Sequence, residues 1–234
     1  MGWMQHLRTS LDEAISTLGP LDGMLYIATR LLERASGGRV RIVKYRVVAQ
    51  PIAMAATPLR PDANSSIAVC RRDDPLVAAF PRPAAIIARR FDDGACCLAA
   101  TVKQRFAGFL WLCRDHYEED EVRCDFVLQN PASSVWDFDV YVEPAYRHGR
   151  TLARMWQAAN ESLHADGILW TCSRISTFNA ASIAAHARLG AVRLHSACFL
   201  VAGPWQLAIF SCRPFVHFSF GPRSCPRLLV GTPS

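Results

Sequence analysis

The stretch from Val135 to Ala191 constrains the fold more than any other part of the chain. It opens as an alternating strand, with Trp136, Phe138, Val140 and Val142 on one face and Asp137, Asp139 and Tyr141 on the other. At Val142-Glu143-Pro144 the strand ends in a turn, Ala145 to Thr151, that holds three basic side chains and Gly149. From about Arg150 to Ala165, the residues Leu152, Met155, Trp156, Ala159 and Leu163 recur at helical spacing and predict a core-packed face. Gly167 ends that helix, a strand follows over Ile168 to Ile175, and a second helix starts at Asn179 as N-cap. Gly190 suits its C′ position. The start of the first helix offers backbone N–H groups and the positive end of a dipole, which together suit a pyrophosphate.

Two patterns in this stretch resemble the acyl-CoA-binding half of the GNAT superfamily of N-acyltransferases. That family has a V-x-P-type strand exit, an [R/Q]-x-x-G-x-[G/A] pyrophosphate turn and, later, N-x-x-[A/S]-x-x-x-Y-x-[K/R]-x-G. Asn179, Ser182, His186, Arg188 and Gly190 fall at the spacing of the last pattern, with His186 in the tyrosine's place. In the turn, Ala153 takes the final small position, so His148 stands for Arg or Gln and Thr151 for Gly. Starting from Arg147 instead puts Arg150 at the glycine and Leu152 at the small position, a poorer match. A glycine there keeps a Cβ away from the phosphate; the Thr151 hydroxyl can instead donate a hydrogen bond.

The resemblance implies one α/β domain with a mixed, mainly antiparallel central sheet, flanked by helices and splayed near Val142. It implies an N-acyltransferase, most simply an acetyltransferase, that passes an acyl group directly from acyl-CoA to a primary amine. The co-substrate is then acetyl-CoA or another acyl-CoA, with no metal. By the same resemblance Val140, Tyr141 and Val142 bind the pantetheine arm, while Arg147, His148, Gly149, Arg150, Thr151, Leu152 and Ala153 frame the pyrophosphate, with Arg154 also within reach. Asn179, Ser182 and His186 share one helix face at i, i+3 and i+7, directed at the coenzyme. His186 takes the role of protonating the departing thiolate, and a reference pKa of about 6.5 suits it to that task. Glu143 is the candidate base, with Asp137 and Asp139 as rivals on the same strand and ordered water as a further option. The second reading is a GNAT-like module that binds coenzyme A or a partner without turnover.

Composition narrows the classes. Of 234 residues, 51% are apolar and no long polar tract interrupts them, which indicates a globular protein able to bury a core. No apolar run approaches the ~18 residues of a membrane span, and the opening residues lack the basic-then-apolar layout of a secretory signal. Met1-Gly2 begins a myristoylation pattern that His6 breaks. These features lead to the expectation of a cytoplasmic protein with no membrane partner. The nine cysteines include no C-x-x-C pair and read as buried, reduced thiols. A net charge of +6 raises nucleic acid as a partner, yet the arginines are scattered and Lys44 and Lys103 are the only lysines, which disfavours it. The expected partner is a small-molecule or peptide amine, with a homodimer compatible.

Along the chain, Leu7 to Arg34 reads as two helices broken at Gly19-Pro20, with Leu21, Leu25, Ala28 and Leu32 as a core face. Val40 to Val48 reads as a strand, Pro51 to Pro83 as a loop-rich connection, and Asp73-Asp74 as acidic residues stabilising a helix start at Pro75. Ala84 to Phe91 is a short helix, and Cys96 to Val102 with Ala107 to Cys113 forms a hairpin around Lys103-Gln104-Arg105. His116, Glu118, Glu119, Asp120 and Glu121 read as a solvated loop, and Val122 to Leu128 as a strand. Ala191 to Val201 and Trp205 to Cys212 complete the sheet around Gly203-Pro204. The expected organisation is a helical lead over 1–36, the acyltransferase domain over 37–213 and a tail over 214–234 that is an edge strand, a dimer contact or a loose end.

Overall fold

A computed structural model of the chain describes residues 12–52, 59–221 and 223–233. The expected helix start at Leu7 and part of the Pro51–Pro83 connection lie outside the described residues. Residues 12–18 are helical, followed by α1 (Pro20–Ser36), β1 (Val40–Pro51), β2 (Ser65–Cys70), a 3₁₀ turn (Pro75–Ala79), α2 (Ala84–Asp92), β3 (Cys96–Val102) and β4 (Arg105–Cys113). Then come β5 (His116–Glu118), β6 (Asp125–Leu128), β7 (Ser134–Val142), a 3₁₀ turn (Pro144–Tyr146), α3 (Thr151–Ala165), β8 (Trp170–Ser176) and α4 (Ala180–Arg188). The chain ends in β9 (Val192–Ala202), β10 (Trp205–Phe210), β11 (Val216–Phe220) and β12 (Arg227–Val230). The fold is α/β, with mixed, mainly antiparallel strand pairing flanked by helices. By internal contacts the chain divides into two units, across the boundaries the sequence suggests. The first is drawn from residues up to Gln50, Glu118–Gln129 and Ser173 onward; the second from Pro51–Tyr117 and Asn130–Cys172.

The second unit carries the strand order β2-β3-β4-β7-β8, ending on the first residues of β8. Its β3–β4 hairpin turns through Lys103 and Gln104, both at positive φ, the backbone a two-residue hairpin needs. Helix α3 packs on β2, β3 and β4 and buries Thr151, Met155, Trp156, Ala159 and Leu163. On the strands, Phe80 and Phe91 pack against Trp111. Asp74 caps the first 3₁₀ turn by accepting from the Leu76 N–H at 2.8 Å, as its place before Pro75 suggests.

The first unit carries the order β8-β1-β9-β10-β11, with β12 pairing β6 in parallel. The tail therefore supplies an edge strand, β11, and a second paired strand, β12. Helix α1 corrects the sequence reading. It buries Asp22, Gly23 and Thr29, while Leu21 and Leu31 stand exposed and Leu25, Ala28 and Leu32 are half-buried. The reason lies on β1, where Lys44 and Arg46 both reach Asp22, at 2.6 and 3.1 Å. Thr29 Oγ1 also accepts from the Ile42 N–H. Burial opposes ionisation of Asp22, but hydrogen bonds from the two cations hold its carboxyl below the usual carboxylate range.

Gly108 on β4 lies opposite Val142 on β7, and an added Cβ would sit 2.4 Å from the Tyr141 carbonyl oxygen. Backbone cannot yield there without parting the two strands. We expect Gly108→Ala to destabilise the protein by about 2 kcal/mol, read from urea denaturation midpoints.

Candidate functional site

Strand β7 pairs with β4 over most of its length, from Cys113↔Trp136 to Gly108↔Val142. The register skips between Trp111↔Asp139 and Leu112↔Asp137, so Phe138 is the extra residue of a bulge. The bulge breaks the strict alternation read from the sequence. Phe138 joins Asp139 on one side, where the Arg90 guanidinium lies over its ring and pairs with Asp139 at 2.7 Å. On its other edge β7 pairs with β8 only at Ser134↔Trp170, Val135↔Thr171 and Trp136↔Cys172. The ladder stops there, at Cys172, the last β8 residue of the second unit.

Which peptide groups this frees follows from strand alternation. Glu143 N–H donates to the Ala107 carbonyl at 2.9 Å, so Glu143 and Tyr141 direct their peptide groups at β4. Those of Val140 and Val142 point away from it. The Val142 carbonyl accepts from Arg147 Nε at 3.0 Å. The side chains of Val140, Val142, Tyr146 and Leu152 pack on Ala100, Ala107 and Met155, which fixes the strand against α3.

The turn is a 3₁₀ turn over Pro144–Tyr146, closed by Gly149 N–H to the Tyr146 carbonyl at 3.1 Å. A Cβ at Gly149 would press on that carbonyl at 3.3 Å. Arg150 is the N-cap of α3 and offers no side-chain cap. Among the described residues, the N–H groups of Arg150, Thr151, Leu152 and Ala153 have no acceptor. Arg147, His148, Gly149 and Arg150 are exposed around them, whereas Thr151 is buried on the face that also carries Met155 and Ala159. That orientation lets a threonine stand where the pattern has glycine. Arg154 is engaged elsewhere: it donates to the Arg60 carbonyl at 3.1 Å and pairs with Asp62 at 3.5 Å.

The acidic candidates separate by their partners. Asp139 receives Arg82 at 2.7 and 2.8 Å and Arg90 at 2.7 Å, so two guanidiniums occupy both of its oxygens. Asp137 is buried. The Glu143 carboxylate is half-buried and, among the described residues, has no side-chain or backbone partner.

The remaining predicted site residues lie in the first unit. Asn179 caps α4, its Oδ1 accepting from the Ser182 N–H at 3.0 Å, and Gly190 sits at φ +80° just past the helix end. Along this line exposure falls from Asn179 through half-buried Ser182 to His186, which is 8% exposed. His186 Nδ1 lies 3.1 Å from Oε1 of Gln50, itself 1% exposed at the end of β1. Burial pushes the imidazole down to about 4, so it is neutral at neutral pH and not titrating near it as the sequence reading assumed.

The cluster after β5 is also not a solvated loop throughout. Glu119 is buried, pairs bidentately with Arg174 (Nη2–Oε1 2.9 Å) and lies near the Tyr45 hydroxyl, which donates to Glu121 at 2.5 Å. Burial and the Glu119 carboxylate push the Tyr45 phenol well above its usual range.

No protein-family model matches the chain, and a search of curated proteins finds no match. Solved structures do resemble it. A tandem GNAT protein from the clavulanic acid biosynthesis pathway gives a TM-score of 0.49 at 18% identity, covering 75% of this chain and 58% of that one. A conserved protein of unknown function from Staphylococcus epidermidis gives 0.47 at 11% identity, covering 74% and 67%. An aminoglycoside acetyltransferase from an uncultured soil metagenomic sample gives 0.40 at 10% identity, covering 55% and 88%. The chain thus spans little more than half the length of the tandem protein.

The turn and strand singled out in the sequence, Val140 to Ala153, come together in the second unit, and the α4 residues stand in the first. Sequence reasoning missed Gln50, whose only signal is a polar residue closing the apolar run Val47-Val48-Ala49. It also missed the Arg82–Asp139–Arg90 clamp, since nothing in the spacing of these residues joins them.

Because His186 is held below its unfolded value, protonation favours the unfolded chain. Its contribution is complete above about pH 6.5 and is lost as pH falls toward 4. We expect the wild type to lose about 3 kcal/mol more than His186→Gln across that window, measured by urea denaturation at several pH values; His195, also lowered by burial, is common to both proteins.

Proposed function

We propose that the chain is an acyl-CoA-dependent N-acyltransferase acting on a primary amine, with acetyl-CoA as the simplest donor. One observation carries the reading: β7 leaves its β8 ladder after Trp136 and leads directly into a helix start with unclaimed amides. A released strand edge and an uncapped helix N-terminus, set on consecutive residues, match the two ends of a phosphopantetheine arm.

In this reading the N–H groups of Arg150 to Ala153 take the pyrophosphate oxygens, and the exposed Arg147 and Arg150 guanidiniums add charge-assisted hydrogen bonds. Thr151 contributes its backbone, its side chain being turned into the core. The peptide groups of Val140 and Val142 hold the arm, and an N–H on this edge stabilises the thioester carbonyl as its oxygen gathers negative charge. Tyr141 serves through its side chain, which packs on Phe109. Bound acyl-CoA supplies an activated acyl group; the amine nitrogen bonds to the carbonyl carbon as the carbon–sulfur bond breaks and the electron pair leaves on sulfur.

Glu143, whose carboxylate is unengaged, is the proposed acceptor of the amine proton, directly or through water. Asp139 is excluded from that role by its two arginines. The resemblance carries Asn179 over as the helix cap.

Release of free thiol from acetyl-CoA with a panel of primary amines tests the activity, and calorimetry with coenzyme A tests the site. We expect Arg150→Ala to weaken coenzyme A binding about tenfold and Thr151→Gly to leave it within about twofold, because no crowding is relieved. We expect Glu143→Gln to lower kcat with little change in coenzyme affinity. Binding without thiol release across the panel would favour a non-catalytic coenzyme A module.

A further inference from the structure

The first unit bears an apolar sheet face that nothing in the described chain covers. In the β9–β10–β11 ladders, Ala202, Trp205 and Phe220 lie abreast, as do Leu200, Leu207 and Phe218, and Cys198, Ile209 and Val216. Cross-strand partners share a face, so these nine side chains form one surface three strands wide. The opposite face, with Phe199, Val201, Ala208 and Phe210, is the buried one. A solvated sheet face normally carries polar residues in alternation with the core. Here both faces are apolar, and Trp205, Ile209, Val216, Phe218 and Phe220 are each 47–59% exposed. Trp205 stacks its ring against Phe218 and Phe220, at centroid separations of 5.1 and 4.3 Å, so the aromatic patch is continuous.

On the next strand the same face is already covered. Ile42 and Lys44, the β1 partners of Leu200 and Cys198, are held by Thr29 and Asp22 of α1. The uncovered area begins where that helix ends its cover, and it runs to the free edge of β11.

We infer that this β9–β11 face docks a second copy of the chain. Leu200 with the five more exposed side chains presents on the order of 600 Å², before the half-buried Leu207, Cys198 and Ala202 are added. A stable interface needs roughly 800 Å² per partner, and a monomer's largest apolar patch is only about 300–600 Å². The nine residues include no charge, so the face is complementary to itself: a two-fold pairing buries no uncompensated ion. An anionic lipid surface would be met by cations set among the apolar groups. The nearest cations on the adjoining strand, Lys44 and Arg46, are instead tied to Asp22. The inference stands apart from the proposed acyl transfer, since none of these residues belongs to that site.

Light scattering with size exclusion, and sedimentation across a concentration series, test it on the full chain. The wild type is expected at twice the chain mass, with Phe218→Lys and Ile209→Lys each raising the dimer dissociation constant roughly 30-fold or more. Both positions are half exposed or more, so their thermal melts under monomeric conditions should match the wild type. Val69→Lys, at an exposed β2 position outside this face, should remain dimeric. A wild type that stays monomeric at high concentration overturns the proposal, as does a dimer indifferent to both lysines. Cosedimentation of a monomeric wild type with phosphatidylserine vesicles, abolished by Phe218→Lys, would assign the face to lipid and overturn it equally.

Discussion

The one-sided pairing of β7 is the constraint on which the rest of the second unit depends. Held by β4 from Trp136 to Val142 and released by β8 after Trp136, the strand must keep its position with half of its usual hydrogen bonds. Apolar packing supplies the difference. Val140 and Val142 rest with Leu152 on Met155, and Tyr141 rests on Phe109 from the other side. The Phe138 bulge lets the strand bend without giving up either set of contacts. A backbone edge can thus stay open without being loose.

Charge completes that arrangement. Arg82 and Arg90 converge on Asp139 just past the bulge, and their guanidiniums lie over Phe109, Tyr141, Trp111 and Phe138. A buried ion pair of this sort contributes little net stability by itself, yet removing one partner strands the others. Its geometric effect is the clearer one: it fixes the side of the strand that an aromatic layer alone would leave free to slide. Arg147 does the same at the far end through the Val142 carbonyl.

Much of this was legible in the residues. The amphipathic period of α3, the Asn179 cap, Gly190 and the hairpin at Lys103-Gln104 all follow from local preferences that the tertiary structure reinforces. What was not legible depends on partners distant in the chain. The alternation of Trp136 to Val142 gave no sign of a bulge, because inserting Phe138 leaves the pattern of residue types unchanged. Helix α1 reads as a leucine-faced core helix until Lys44 and Arg46 appear opposite it, and then Asp22 decides which side turns in. His186 reads as a titrating imidazole until Gln50 and the surrounding burial are known. Thr151 looked obstructive only while its side chain could be imagined pointing outward.

The same Asp22 contact has a chemical consequence. The chain has two lysines; Lys44 is pinned beneath α1, and Lys103 stands at the tip of a hairpin. An activated acyl donor reacts with any unprotonated amine it can reach. Here Lys44 is shielded by the Asp22 carboxylate, which leaves Lys103 as the exposed side-chain amine of the described residues.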